Sequence, residues 1–88
     1  MSLESIHNYY EHLVMEQIDD HIKQSTGSLD DDFIADVACV ALNHLPSRYV
    51  RYDVDMVFYM PGEEREKMMA EVTEAVKKAW QFVKDHQK

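Results

Sequence analysis

A chain of 88 residues with 17 acidic side chains against nine Lys and Arg has a formal net charge of −8 and a pI near 4.9. That balance weighs against direct binding of nucleic acid, which Lys and Arg drive by releasing counterions from phosphates. The single cysteine, Cys39, excludes a disulfide within the chain, and no apolar run approaches the roughly 20 residues that cross a bilayer. With no basic region leading into an apolar core at the N-terminus, these features predict a cytoplasmic protein in a reducing compartment.

The length predicts one domain over residues 1–88. A domain of this size buries only about 60 to 65% of its unfolded surface, so its stability often leans on metal, a disulfide or a second subunit. Apolar and aromatic residues at 45% are ample for a folded core.

In chain order, Ser2 or Ser5 is placed to cap a first helix. Ile6, Tyr9, Tyr10, Leu13, Val14, Ile18 and Ile22 then recur at three- and four-residue steps, the stripe of an amphipathic helix running from about Leu3 to Lys23. His7 with Glu11 and His12 with Glu16 are each four apart and face one another across a turn. The two pairs point in different directions and lack a third ligand at a recognised spacing, so they predict surface pairs and no metal.

Gly27 breaks the pattern and serves as a helix C-cap. Ser28 with Asp31 resembles a capping box, and Asp30 is the alternative N-cap. Asp30, Asp31 and Asp32 suit the positive end of a helix better than a calcium loop, whose Gly and later Glu are missing. Helix two, about Asp31 to His44, is short and apolar, with Cys39 expected as a small buried thiol and Asp36 and Asn43 as its polar exceptions. Pro46 disfavours helical geometry at Leu45 and stops it.

From Tyr49 to Met60 the residues alternate. Val50, Tyr52, Val54, Met56, Phe58 and Met60 fall on one parity, and Tyr49, Arg51, Asp53 and Asp55 on the other, which predicts a half-buried strand. No second segment shows that period, so the strand lacks a partner within its own chain and is expected to pair with a copy of itself. The expected fold is mainly α, three helices with one strand between helices two and three (α-α-β-α), in a homodimer whose Tyr52 to Met60 strands pair antiparallel. Val54, Met56, Phe58 and Met60 are the expected dimer interface, centred near Met56 so that aspartates do not oppose each other.

Pro61-Gly62 makes a turn, and Glu63, Glu64 and Glu66 open a third helix to about His86. Such a helix is on the order of 35 Å long, and that length, with Trp80 at the edge of its apolar stripe, predicts partial packing against a second subunit.

The chain carries no nucleophile-base pair, paired cysteines, P-loop or HExxH pattern, and its two glycines are too few for a phosphate-cradling loop. It is therefore expected not to be an enzyme and to need no cofactor. What stands out is Arg48, Tyr49 and Arg51 at the handover from helix two to the strand. Together with Asn43 and Asp53 they form the candidate ligand-binding set: arginine meets guanine edges or phosphates bidentately, a carboxylate accepts from ring N–H groups, and tyrosine stacks on a base. The plainer alternative is that Arg51 only neutralises Asp53 or Asp55 on an exposed strand.

Three stretches, NYYEHLV in helix one, DVACVALNHLPSRYV across the junction and YDVDMVFYM after it, resemble the ComFB family of late competence development proteins, from about Ile6 to Met69. The ALN-x-LP-x-x-YV arrangement is not a generic helix ending. The resemblance implies a small, mainly helical, non-enzymatic protein. Some members of the family are receptors for cyclic di-GMP that act as dimers and signal to transcription regulators or other partner proteins. It also implies that Arg48, Tyr49 and Arg51, duplicated in a symmetric dimer, would meet two phosphates and two guanines. Some relatives have cysteines before helix two that suggest zinc; GSLDDDF stands there here, so no zinc is carried over.

Overall fold

The computed structural model describes residues 3–24 and 30–86. A 3-10 turn, Leu3–Ser5, leads into a two-residue strand β1, His7–Asn8, followed by helix α1, Tyr9–Gln24. Helix α2 spans Asp31–Asn43, strand β2 is Tyr49–Val50, helix α3 is Asp53–Tyr59 and helix α4 is Gly62–Asp85.

Helices α1, α2 and α4 pack on one another around a shared core. Helix α1 contributes Tyr10, Leu13, Val14 and Ile18, α2 contributes Phe33, Val37 and Ala41, and α4 contributes Met68, Val72, Val76, Ala79 and Val83. These are the three- and four-residue stripes of each helix, as the sequence predicts. A fully enclosed side chain such as Ile18 or Val72 gives about 1.5–3 kcal/mol relative to exposure, which is why these short helices hold together without a disulfide.

Asp30 is the N-cap of α2, its Oδ1 accepting from the Phe33 amide at 2.7 Å. The Ser28 capping box, the Gly27 C-cap and the Ser2 cap of helix one lie outside the described residues, and Ser5 ends the 3-10 turn rather than capping α1, which starts at Tyr9. Helix α2 ends at Asn43, with the His44 amide donating to the Ala41 carbonyl and the Leu45 amide to the Leu42 carbonyl before Pro46. Cys39 is exposed rather than buried, its Sγ taking a contact from Asn43 Nδ2 at 3.7 Å. Phe33, Val37 and Ala41 define the inward face of α2, and Cys39 falls off it. Trp80 likewise finds its neighbours within the chain. It stacks on His21 with ring centroids 5.2 Å apart and meets Phe33 edge-on at 5.1 Å.

The mainly helical class holds, but the order is β-α-α-β-α-α in place of α-α-β-α. The expected strand from Tyr52 to Met60 is absent: only Tyr49–Val50 of this segment pairs as a strand, and Asp53–Tyr59 is helical. There is consequently no strand here to pair across a two-fold axis. Two facts explain the difference. The partner of β2 lies in the same chain, since His7 pairs with Val50 and Asn8 with Tyr49 in antiparallel register; these two are strand residues and not part of helix one, which starts at Tyr9. Met56 and Met60, moreover, share a parity under a period of two but are also four apart, and so share one face of a helix. The structure buries these two, at 6% and 9% exposure, and leaves Val54, Val57, Phe58 and Tyr59 exposed. Met56 and Met60 therefore belong to the chain's own core. A helix also satisfies its own backbone groups, which an unpaired strand does not.

Candidate ligand-binding site

The residues after α2 are held by the start of α1. Asn8 Oδ1 accepts from the Tyr10 amide at 3.2 Å and from the Arg48 amide at 2.9 Å, and the Tyr9 amide donates to the Arg48 carbonyl at 2.7 Å. One side chain thus serves an otherwise unbonded amide at the N-terminus of α1 and fixes the backbone of Arg48. His7, released from helix one by the strand, pairs with Asp53 at the first position of α3 instead of with Glu11. The second predicted pair, His12 with Glu16, is present at 2.9 Å.

Between this anchored segment and α3 lies a groove of about 380 Å³ lined by Arg48, Tyr49, Val50, Arg51, Asp55, Met56, Tyr59 and Met60. Its floor is made by Met56 and Met60, whose side chains also close the core. Its walls carry two guanidinium groups, two phenols and one carboxylate. Two guanidinium groups beside aromatic rings on a largely polar surface suit a small anionic aromatic ligand. Tyr49 is 63% exposed and Tyr59 80% exposed, so both rings are open to stacking.

The two arginines differ. Arg48 Nη1 donates to Glu64 Oε1 at 3.0 Å from the first turn of α4, an ion pair roughly half open to solvent. Arg51 has no carboxylate within ion-pair distance among the described residues. Its guanidinium carbon sits 5.1 Å from the centre of the Tyr52 ring, a cation–π arrangement. The plainer reading, in which Arg51 neutralises Asp53 or Asp55, is not what the geometry shows.

Behind the groove, the Tyr10 hydroxyl donates to Glu71 Oε2 at 3.2 Å. Burial, reinforced by the Glu71 carboxylate, holds the Tyr10 pKa above its ordinary value, partly offset by Arg48. Farther along, Arg65 Nη2 donates to the carbonyls of Met56 and Val57, each at 2.9 Å. Both carbonyls fall in the last four residues of α3, where no partner exists within the helix, so Arg65 fastens α3 to α4.

Of the predicted ligand set, Arg48, Tyr49 and Arg51 come together in this groove. Asp53 does not line it and is engaged by His7. Asn43 lies instead on a larger, mainly apolar groove of about 850 Å³ between the end of α2 and α4, with Val40, Leu45, Pro46 and Phe82 among its walls. Asp55, a carboxylate that the sequence sets beside Arg51, does line the groove, as does Tyr59, which carries no sequence signal for a site. Glu64 and Arg65, in the first turn of α4, do not line it and bear on it only through Arg48 and through the carbonyls of α3.

No helix among the described residues is long and apolar enough to cross a membrane. Comparison with curated proteins and with solved structures gave no match. Residues 7–87, nearly the whole chain, match the model of the late competence development protein ComFB, and the chain therefore belongs to the ComFB family.

Proposed function

We propose that this chain is a non-enzymatic, cytoplasmic regulatory protein that acts as a homodimer and responds to cyclic di-GMP. The observation that carries the reading is the convergence of Arg48, Tyr49 and Arg51 on one groove, with Arg51 lacking a carboxylate partner among the described residues. A free guanidinium beside exposed phenols is an arrangement that meets a phosphate and stacks a base at once. A volume of about 380 Å³ is at the lower end for small-molecule sites and suits one half of a two-fold dinucleotide, the other half falling to a second copy. Membership of the ComFB family supports a role linked to competence.

Calorimetric titration with cyclic di-GMP tests the reading. Binding by the wild type, lost or weakened at least tenfold in Arg51→Ala, is the expected result; no heat from the wild type at high ligand concentration rejects it.

A second reading, a ligand-free module that binds a regulatory partner protein, is favoured by a different observation. Val54, Val57 and Phe58, three and four residues apart and so on one face of α3, are all more than half exposed, and an exposed apolar face of that kind marks an interaction surface. The same patch, with Val54 and Phe58 in it, is where a homodimer would meet, through the side chains of α3 rather than through strand pairing. Capture of a partner that is indifferent both to the dinucleotide and to Arg51→Ala would favour this reading over the first.

A further inference from the structure

We infer that Glu64 competes with an anionic ligand for Arg48, so that the groove's affinity for anions is set by a carboxylate of the chain itself. The proposal deepens the ligand reading above and rests on it for the identity of the anion, but its physical basis is local.

With the Arg48–Glu64 ion pair closed at 3.0 Å, the Arg48 guanidinium already carries a carboxylate. Arg51 is then the guanidinium of the groove without a carboxylate in ion-pair reach among the described residues. With the pair open, the groove gains one uncompensated guanidinium. Cyclic di-GMP carries two phosphates, so this difference bears directly on how an anion is received. In a chain with a net charge of −8, a second local cation freed of its counter-charge adds to the attraction that Arg51 already offers such a ligand.

The geometry allows the exchange without a change of fold. The Arg48 backbone is pinned on both sides, its amide to Asn8 Oδ1 and its carbonyl to the Tyr9 amide. Arg65, next to Glu64, holds α4 to the Met56 and Val57 carbonyls of α3. What remains free to turn is the Arg48 side chain and the Glu64 side chain, 49% and 39% exposed. A half-exposed ion pair of this kind is weakly held because water screens it. A ligand phosphate therefore displaces the carboxylate at small cost, and that cost appears directly as lost affinity.

The test is a cycle of four proteins, the wild type, Glu64→Gln, Arg48→Ala and the double variant, titrated with three probes: cyclic di-GMP, inorganic pyrophosphate and neutral guanosine. Gln keeps the size of the side chain and removes its charge. The expected result is that Glu64→Gln binds both anions three- to tenfold more tightly than the wild type, that the gain vanishes when Arg48 is Ala, and that guanosine is unaffected. An unchanged or weaker anion affinity in Glu64→Gln overturns the proposal, as does an equal gain for guanosine or a gain that survives Arg48→Ala. The two readings fail separately. If no variant binds cyclic di-GMP, the receptor function falls, while the pyrophosphate titrations still decide the competition; pyrophosphate binding to none of the four proteins overturns the competition as well.

Discussion

Arg65→Ala removes the side chain that ties the C-terminal end of α3 to α4. The substitution removes two hydrogen bonds, to the Met56 and Val57 carbonyls at 2.9 Å each. The first is partly buried and the second exposed. Bonds from charged donors contribute about 1.5–3 kcal/mol when shielded and much less in water, so the pair together is worth roughly 1–2 kcal/mol. An opposing effect comes from the position of Arg65 in the first turn of α4, where a cation faces the positive end of the helix; its removal returns about 0.3–1 kcal/mol to α4. The global melting temperature should therefore move little. The local effect should not cancel, because α3 has seven residues and only Met56 buried within it, with Met60 just beyond. Loss of about 1–2 kcal/mol raises the population of an undocked α3 some 5- to 30-fold. Native-state hydrogen exchange at the Val57, Phe58 and Tyr59 amides, the ones bonded within the helix, should accelerate by that factor while α1 and α2 amides stay as they were. Unchanged exchange at these three amides would refute the account of α3 as a helix fastened by Arg65.

Three further outcomes follow from single contacts. Asp30→Ala removes the cap on the Phe33 amide and should cost about 1 kcal/mol, lowering the melting temperature by roughly 4–8 °C, whereas Asp30→Asn should keep most of the stability; equal losses in both would discount the cap. Tyr10 has a raised pKa in the fold, so its contribution is complete below the unfolded value of about 10 and is lost as pH climbs through the folded value. Tyr10→Phe should accordingly show a shallower fall in melting temperature above about pH 10, and parallel curves for the two proteins would count against the Tyr10–Glu71 contact. Phe58→Asp places a charge at a side chain that is 74% exposed, so it should leave the fold intact and shift the proposed homodimer to monomer in light scattering; a variant that stays dimeric excludes α3 from the interface.

The three long helices were legible because each buries a stripe that repeats at three and four residues over many turns. Val14 and Ile18, Val37 and Ala41, and Val72, Val76 and Ala79 each mark such a stripe. Seven residues were too few to tell periods apart between Asp53 and Tyr59, where Met56 and Met60 satisfy both. The deciding information was not local. Backbone groups of Tyr49 and Val50 are met by His7 and Asn8, more than 40 residues away in the chain, and that short ribbon leaves the following segment to fold on itself. The Arg48-Tyr49-Arg51 cluster could be picked out because it is compact in sequence and chemically distinct. Its partners could not: Glu64, Arg65 and Tyr59 reach it only through the turn of α3 against α4, and the His7–Asp53 pair spans 46 positions.

Helix α3 serves two surfaces with one short element. Asp55, Met56, Tyr59 and Met60 form one side of the groove, while Val54, Val57 and Phe58 project away from the core as exposed apolar surface. A seven-residue helix cannot shift one of these faces and leave the other in place. If the groove takes an anion and the apolar face takes a second copy, the two equilibria act on the same rigid body, and thermodynamic linkage makes their coupling reciprocal. The factor by which cyclic di-GMP tightens the dimer must then equal the factor by which dimerisation tightens cyclic di-GMP. Sedimentation of the wild type with and without the dinucleotide gives the first factor, and titration of the wild type against monomeric Phe58→Asp gives the second. Unequal factors would mean that Phe58 touches the ligand directly or that the subunits meet elsewhere; equal factors near one would mean that α3 carries two independent surfaces.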